Sequence, residues 1–234
     1  MHTFTLKRVL GFTGAIALVL ALLVWGVGLE TIKARQVDLL YLGKQHLLLV
    51  FTSMFFALVI GIPSGILLSR PAAKGFAEYV MQLFNVGNTL PPLAVLAMVI
   101  IGIGDVPAIF ALFLASLLPV VRNTYAGLCS VPASLIEAAN GIGMTKWQRL
   151  RQVELPNAWP VMLAGIRIAT AINVGTAPLA FLIGASSYGE LIFPGIYLND
   201  FPTLILGATA TALVALILDS LLALLGRILS PHTA

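Results

Sequence analysis

Six stretches of this 234-residue chain are each long and apolar enough to cross a lipid bilayer, and that limits what it can fold into. They run over Val9–Leu29, Leu47–Ser69, Phe76–Gly102, Val106–Leu128, Ala158–Ile183 and Pro202–Leu225. About 20 residues at a rise of 1.5 Å span the roughly 30 Å of hydrocarbon. Inside hydrocarbon every backbone N–H and C=O must be satisfied internally, so segments of this length are read as helices. Composition agrees, with 59% of residues hydrophobic and 9% charged, against about 25% charged in soluble domains. So few charges cannot wet the surface of a chain this size. The expected fold class is an all-α membrane protein with about six transmembrane helices.

Lys7 and Arg8 precede the first segment, as they would in a secretory signal. Its apolar run is longer than such a signal carries and no small-x-small cleavage pattern follows, so it is read as a retained helix. A cytoplasmic N-terminus puts Lys7, Arg8, Arg70, Lys74, Arg122, Lys146, Arg149, Arg151 and Arg227 inside, and only Lys33, Arg35 and Lys44 outside. Nine against three satisfies the positive-inside rule and returns the C-terminus to the cytoplasm. The chain is therefore expected to be a multi-pass membrane protein with both termini cytoplasmic. The net charge of +4 then reflects topology, with membrane lipid and not nucleic acid as the partner. The single cysteine, Cys129, excludes an internal disulfide. His2, His46 and His232 lie too far apart in sequence to suggest a metal cluster, and no metal site is expected.

One charged, glycine-punctuated stretch interrupts the apolar chain: EAANGIGMTKWQRLRQVELP, from Glu137 to Pro156. Pro132 suits a helix start, and Ser134 with Glu137, like Thr145 with Gln148, has capping-box spacing. Gly141 and Gly143 fall between, so two short helices joined by a sharp turn are expected. The second would carry Lys146, Arg149 and Arg151, with Trp147 and Leu150 as an apolar face. Two readings stay open on these residues alone. One is a docking element for a partner, the other an amphipathic connector lying on anionic lipid.

The stretch resembles the EAA signature of the permeases of bacterial ABC importers, E-A-A-x3-G-x9-I-x-L-P. Glu137, Ala138, Ala139, Gly143, Leu155 and Pro156 fall at the matching positions, and Val153 stands where the pattern has Ile. The flanks AGIRIATAI (164–172), NVGTAPLAFLIGA (173–185), RNTYAGL (122–128) and GIPSGILLSR (61–70) are similar to the osmoprotectant branch of that family. The resemblance implies a type I, methionine-importer-like permease fold. It divides the chain into an N-terminal helix and outer loop (1–46), a permease core (47–228) with the EAA loop at 130–157, and a tail (229–234). It further implies that the loop is a coupling helix seated in a separate cytoplasmic ABC ATPase dimer. Glu137, Ala138, Ala139, Gly141, Gly143, Met144, Leu155 and Pro156 would form that contact. Glu137 would meet the groove, or else cap its own helix; the alanines would allow close approach, or else only favour helix.

Further partners are implied in the same way: a second permease chain, the same or related, and a periplasmic or lipid-anchored substrate-binding protein. No Walker A pattern occurs, since Gly43-Lys44 is followed by Gln45. No cofactor is expected on this chain; ATP and Mg belong to the ATPase. The implied solute is an osmoprotectant such as glycine betaine, carnitine or choline, with methionine or a sulfonate as the alternative. An intramembrane enzyme is disfavoured, because GASSYG lacks G-x-S-x-G spacing and Asp219 has no acidic neighbour in sequence. A channel would have no use for a coupling motif.

Polar residues at membrane depth are the remaining candidates. NVGNTLPPLA (85–94) and NVGTAPLA (173–180) each set Asn, Gly, Thr and Pro where a regular helix would loosen. Asn85, Asn88, Thr89, Asn173 and Thr176 either line a passage or bond one helix to another. Gly61 and Gly65 predict a close helix approach. Arg167 and Asp219 are expected to pair, unless Arg167 reaches to the interface instead. In the outer segment Gly184–Asp200, Glu190 is a docking charge for the binding protein if the segment is a gate, and unremarkable if it is a solvated loop.

Overall fold

The computed structural model describes residues 26–73, 75–89 and 103–229, with positions 14, 17, 21 and 24 of the preceding segment. The helices are α1 Leu29–Ala34, α2 Gln36–Leu68, α3 Ala77–Thr89, α4 Asp105–Cys129, α5 Ala133–Gly141, α6 Lys146–Arg149, α7 Leu155–Thr176, α8 Gly189–Tyr197 and α9 Phe201–Leu229. A π-helical turn, Leu150–Glu154, joins α6 to α7, and a 3₁₀ segment, Ala177–Ile183, extends α7. Among the described residues, four helical runs are long and apolar enough to cross a membrane: Gln36–Leu68, Asp105–Cys129, Lys146–Ile183 and Phe201–Ile228. They coincide with four of the six segments read from sequence. The other two, Val9–Leu29 and Phe76–Gly102, lie partly outside the described residues.

One boundary differs from the sequence reading. Residues 36–46, assigned to an outer loop, are the first turns of α2. That helix is 33 residues long, roughly 50 Å at 1.5 Å per residue. Lys44 and His46 broke its apolar run in the sequence without breaking the helix.

The bundle runs up and down. One end carries the end of α2 at Ser69–Arg70 and the loop 130–154, and is called the loop end here; the other is the far end. Gly104 N–H donates to the Ile183 carbonyl at 2.8 Å, joining the start of α4 to the end of the α7 run at the far end. The core lies between α2, α4 and α7, where Val50, Val120, Ala169 and Val174 are buried. In lipid there is little hydrophobic drive between helices, and close packing takes its place. Gly61 and Gly65 provide it. A Cβ on Gly61 would lie 2.7 Å from Val120 Cγ1, and one on Gly65 would lie 2.6 Å from Thr124 Cβ. Only hydrogen at those positions lets α2 and α4 meet.

The segment Gly184–Asp200 is not a solvated loop. Ala185, Ser187, Tyr188, Gly189, Leu191 and Gly195 are buried, and α8 folds back against α9 and the 3₁₀ segment. A Cβ on Gly195 or Gly207 would come within 2.8 Å of the facing helix, so α8 and α9 form a tight hairpin. Asp200 caps α9 by accepting from Thr203 N–H at 3.2 Å and Thr203 Oγ1–H at 2.6 Å.

Candidate functional site

The loop 130–154 folds as two short helices joined by a tight turn. Pro132, with φ −56° and ψ 133°, starts α5. At its end Gly143 N–H donates to Asn140 O at 3.0 Å and Met144 N–H to Ala139 O at 3.1 Å. This paired closure places the residue after the cap in the left-handed region, and Gly143 has φ +78°. No atom lies within 4 Å of where a Gly143 Cβ would be, so backbone conformation, not space within this chain, demands glycine there. Thr145 then opens α6 with a capping box, Thr145 N–H donating to Gln148 Oε1 at 2.9 Å and Gln148 N–H to Thr145 Oγ1 at 3.3 Å.

The other predicted box does not form. The chain turns helical at Ala133, so Ser134 is already inside α5 and its side chain caps nothing. Among the described residues no hydrogen bond or ion pair engages Glu137, and its side chain is exposed. Ala138 is also exposed, whereas Ala139 is buried.

The apolar face predicted from Trp147 and Leu150 is split. Trp147 is 66% exposed, beside a 74% exposed Ile142, but Leu150 turns inward onto Leu128, Ala158 and Met162. Leu150 follows Trp147 by three residues, about 60° around the helix, which sets it on the inward flank. Leu155 packs onto the same inner cluster, Pro156 lies exposed in the first turn of α7, and Met144 is half-buried. Ile142, Trp147, Glu137 and Ala138 are thus left as a free surface, with Gly141 and Gly143 exposed among them.

Sequence reasoning missed what holds this surface in place. Glu154 is buried at 4% exposure. Its two oxygens accept from Arg70 Nη2 at 2.6 Å and Arg149 Nε at 2.8 Å, and Arg149 Nη1 donates to Asn140 Oδ1 at 2.7 Å. One carboxylate therefore ties the end of α2, the end of α5, and the junction of α6 with α7. Arg149, read as part of an outward basic face, turns inward to make this contact, while Lys146 and Arg151 remain exposed. Glu154 stands at the unassigned position between Val153 and Leu155 of the motif, and only its odd acidity beside so many Arg and Lys residues signalled it.

The membrane-depth candidates separate. Asn173 is fully buried, donating to Ser53 Oγ at 2.9 Å and Ser116 Oγ at 2.8 Å, so it knots α2, α4 and α7 together and does not face a passage in this conformation. Thr176 donates to the Ile172 carbonyl at 2.7 Å where α7 gives way to the 3₁₀ segment, the discontinuity that Pro178 foreshadowed. Asn85 is exposed in a groove between α3 and α4. For Asn88 and Thr89 the helical backbone is described, and their side chains lie outside the described residues. Arg167 and Asp219 pair in a two-pronged contact, Nε to Oδ1 at 2.7 Å and Nη2 to Oδ2 at 2.8 Å. Glu190 is half-buried in the first turn of α8, without an ion pair among the described residues.

A helical bundle with an anchored, outward-facing loop of this signature defines a class: the membrane-spanning subunit of an ATP-driven importer. The chain belongs to the family described as binding-protein-dependent transport system inner membrane component, whose model matches residues 57–234. It is similar to the osmoprotectant import permease protein OsmY of Salmonella typhimurium, 89% identical over 100% of both chains. It is also similar to the glycine betaine/carnitine/choline transport system permease protein OpuCB of Bacillus subtilis, 40% identical over 83% of this chain and 89% of that one. Among solved structures, it resembles an inward-facing form of the MetNI methionine ABC transporter with TM-score 0.71 and 26% identity, covering 86% of this chain and 99% of that chain. The expected type I fold is therefore the observed one, and the chain is a permease subunit and not an enzyme, with ATP hydrolysed on a separate subunit.

Proposed function

We propose that this chain is the permease subunit of an importer of osmoprotectants of the glycine betaine, carnitine and choline kind. Relatives 89% and 40% identical are an osmoprotectant import permease and a glycine betaine/carnitine/choline permease, which supports that solute class. The likeness to the methionine transporter lies at 26% identity and favours the shared fold over a shared solute. The loop 130–154 would be the coupling element on the cytoplasmic side, with both termini on that side. It would seat in an ABC ATPase dimer that binds ATP and Mg. A second permease chain, the same or related, would complete the passage, and a periplasmic or lipid-anchored binding protein would deliver solute at the far end. Glu190, at the start of the α8–α9 hairpin, is the docking charge proposed there.

The observation that carries this reading is the pairing of a free surface with a buried anchor. Ile142 and Trp147 are large apolar groups left uncovered on a loop that is otherwise polar, as protein-binding surfaces are. Behind them Glu154 fastens the loop to α2 and α7. Force applied at the surface would reach the membrane helices with little give. In alternating access, closure of the ATPases would be delivered through this loop as a change in the tilt of α2 and α7.

The test is uptake of labelled glycine betaine by membrane vesicles holding the ATPase, the binding protein and this chain. Glu137→Lys places a cation on the free surface and should abolish uptake while the permease still inserts. ATP-independent uptake, or uptake without any ATPase, would remove the proposal.

A further inference from the structure

A groove of about 570 Å³ opens between α3 and α4 in the loop-end half of the bundle. That volume lies within the roughly 300–1,000 Å³ of small-molecule sites. Its floor is sound packing, Leu117 and Val121 of α4 against Ala77 and Val80 of α3, so the groove is a built concavity and not a gap between loose helices. Its walls are polar for a membrane helix pair. Glu78, Gln82 and Asn85 come from α3, and Arg122 and Tyr125 from α4.

The charges are opposite in sign and neither is used. Among the described residues, Glu78 and Arg122 enter no ion pair with each other or with any other group. Both are exposed along the groove, whereas Glu154, buried in the loop-end half, is paired with two arginines. Lone charges on membrane helices are costly and commonly mark a solute or ion route. Glu78 is the second residue of α3, and Arg122 lies beside it on α4, since Ala77 packs with Val121 and Leu117. A dipolar guest would satisfy both charges at once.

We propose that this groove is a transit site for a small zwitterion carrying a methylated ammonium and a carboxylate. Arg122 takes the carboxylate in a charge-assisted contact. The face of Tyr125 and the carboxylate of Glu78 take the quaternary ammonium, which a π face and a distributed anion suit better than a hydrogen-bond acceptor does. Gln82 and Asn85 supply amide donors along the wall. The guest would lie across the groove, its ammonium on the α3 side and its carboxylate against Arg122 of α4. This rests on the reading of the chain as an osmoprotectant permease and adds the residues that handle the solute after the binding protein releases it.

The experiment uses the whole importer, with its ATPase and binding protein, reconstituted in liposomes with glycine betaine as probe. Two quantities are read: uptake, and ATP hydrolysis stimulated by the loaded binding protein. Arg122→Gln should lower uptake about tenfold, the loss expected for one charge-assisted contact. Stimulated hydrolysis should stay within about twofold, and Arg122→Lys should restore most of the uptake. Ala126→Trp fills the groove from its exposed rim and leaves both charges in place. It should lower uptake similarly, which covers the case in which Arg122→Gln fails to assemble. Uptake at wild-type rates in both variants overturns the proposal, and so does a parallel fall of hydrolysis and uptake in both, which would make the groove part of the coupling path. Absence of any uptake by the wild-type importer overturns the osmoprotectant reading instead.

Discussion

Glu154→Gln deletes the only negative charge that keeps Arg70 and Arg149 side by side. Its shape is retained, so the effect isolates charge. Removing one partner of a fully buried ion pair costs roughly 3–5 kcal/mol. Here the carboxylate is 5% exposed but the guanidiniums are 29% and 20% exposed, so water screens part of the loss. The glutamine oxygen also keeps one of the two hydrogen bonds. About 2 kcal/mol is the expected destabilisation. In a chain of this length 1 kcal/mol moves Tm by about 2–4 °C, giving a fall of about 4–8 °C. Thermal unfolding of the detergent-solubilised importer, followed by tryptophan fluorescence, measures it. A double-mutant cycle with Arg149→Met should give a coupling of at least about 1 kcal/mol. A Tm shift below about 1 °C, or strict additivity in the cycle, would show that the loop is not anchored through this carboxylate.

Three further outcomes are expected. Gly143→Val forces a β-branched side chain to φ +78° at about 1–2 kcal/mol. With open space around that Cβ, the damage should stay in the loop, with normal yield and about tenfold weaker ATPase binding in a titration. Asn173→Leu removes the bonds to Ser53 and Ser116, but both hydroxyls still donate to carbonyls of their own helices, at 2.7 and 2.9 Å. The loss should be about 1 kcal/mol, a Tm fall of about 2–4 °C with glycine betaine uptake unchanged; a change in uptake without a Tm shift would instead restore a passage role for Asn173. Charge reversal at Arg167 alone should lower the yield of assembled permease, and Arg167→Asp with Asp219→Arg should recover it, read by size-exclusion chromatography of the extracted complex.

What the sequence revealed depended on how far each interaction reaches along the chain. The Gly143 turn and the Thr145 cap are built from neighbours, so spacing alone exposes them. Arg167 and Asp219 are distant, and their pairing was one of two readings the sequence left open, because depth alone does not say whether Arg167 turns to Asp219 or to the interface. The Glu154 anchor was not legible, because Arg70 lies just past the end of another helix, far off in sequence, and nothing local couples the two. The outward face of α6 was misread for a different reason. A 3.6-residue period shows that Trp147 and Leu150 are neighbours but not that the edge at Leu150 and Arg149 meets the bundle, because Glu154 and the inner cluster they contact lie beyond α6. The side chain of Asn173 depended on how α7 is rotated about its axis, which polarity at depth does not fix. The far-end hairpin was hidden because its glycines look like loop formers and serve as contact points.

The run from Lys146 to Ile183 is unbroken over 38 residues, so the exposed loop and the far end of the bundle are joined by one shaft. Its coil is widest at the π turn and narrowest in the 3₁₀ segment. Slack can enter only where a clamp is lost, and the Glu154 clamp grips just at the widest coil. Idle burning of nucleotide and passive leakage of solute are then a single fault seen from opposite ends, and lesions at 150–154 should produce both together.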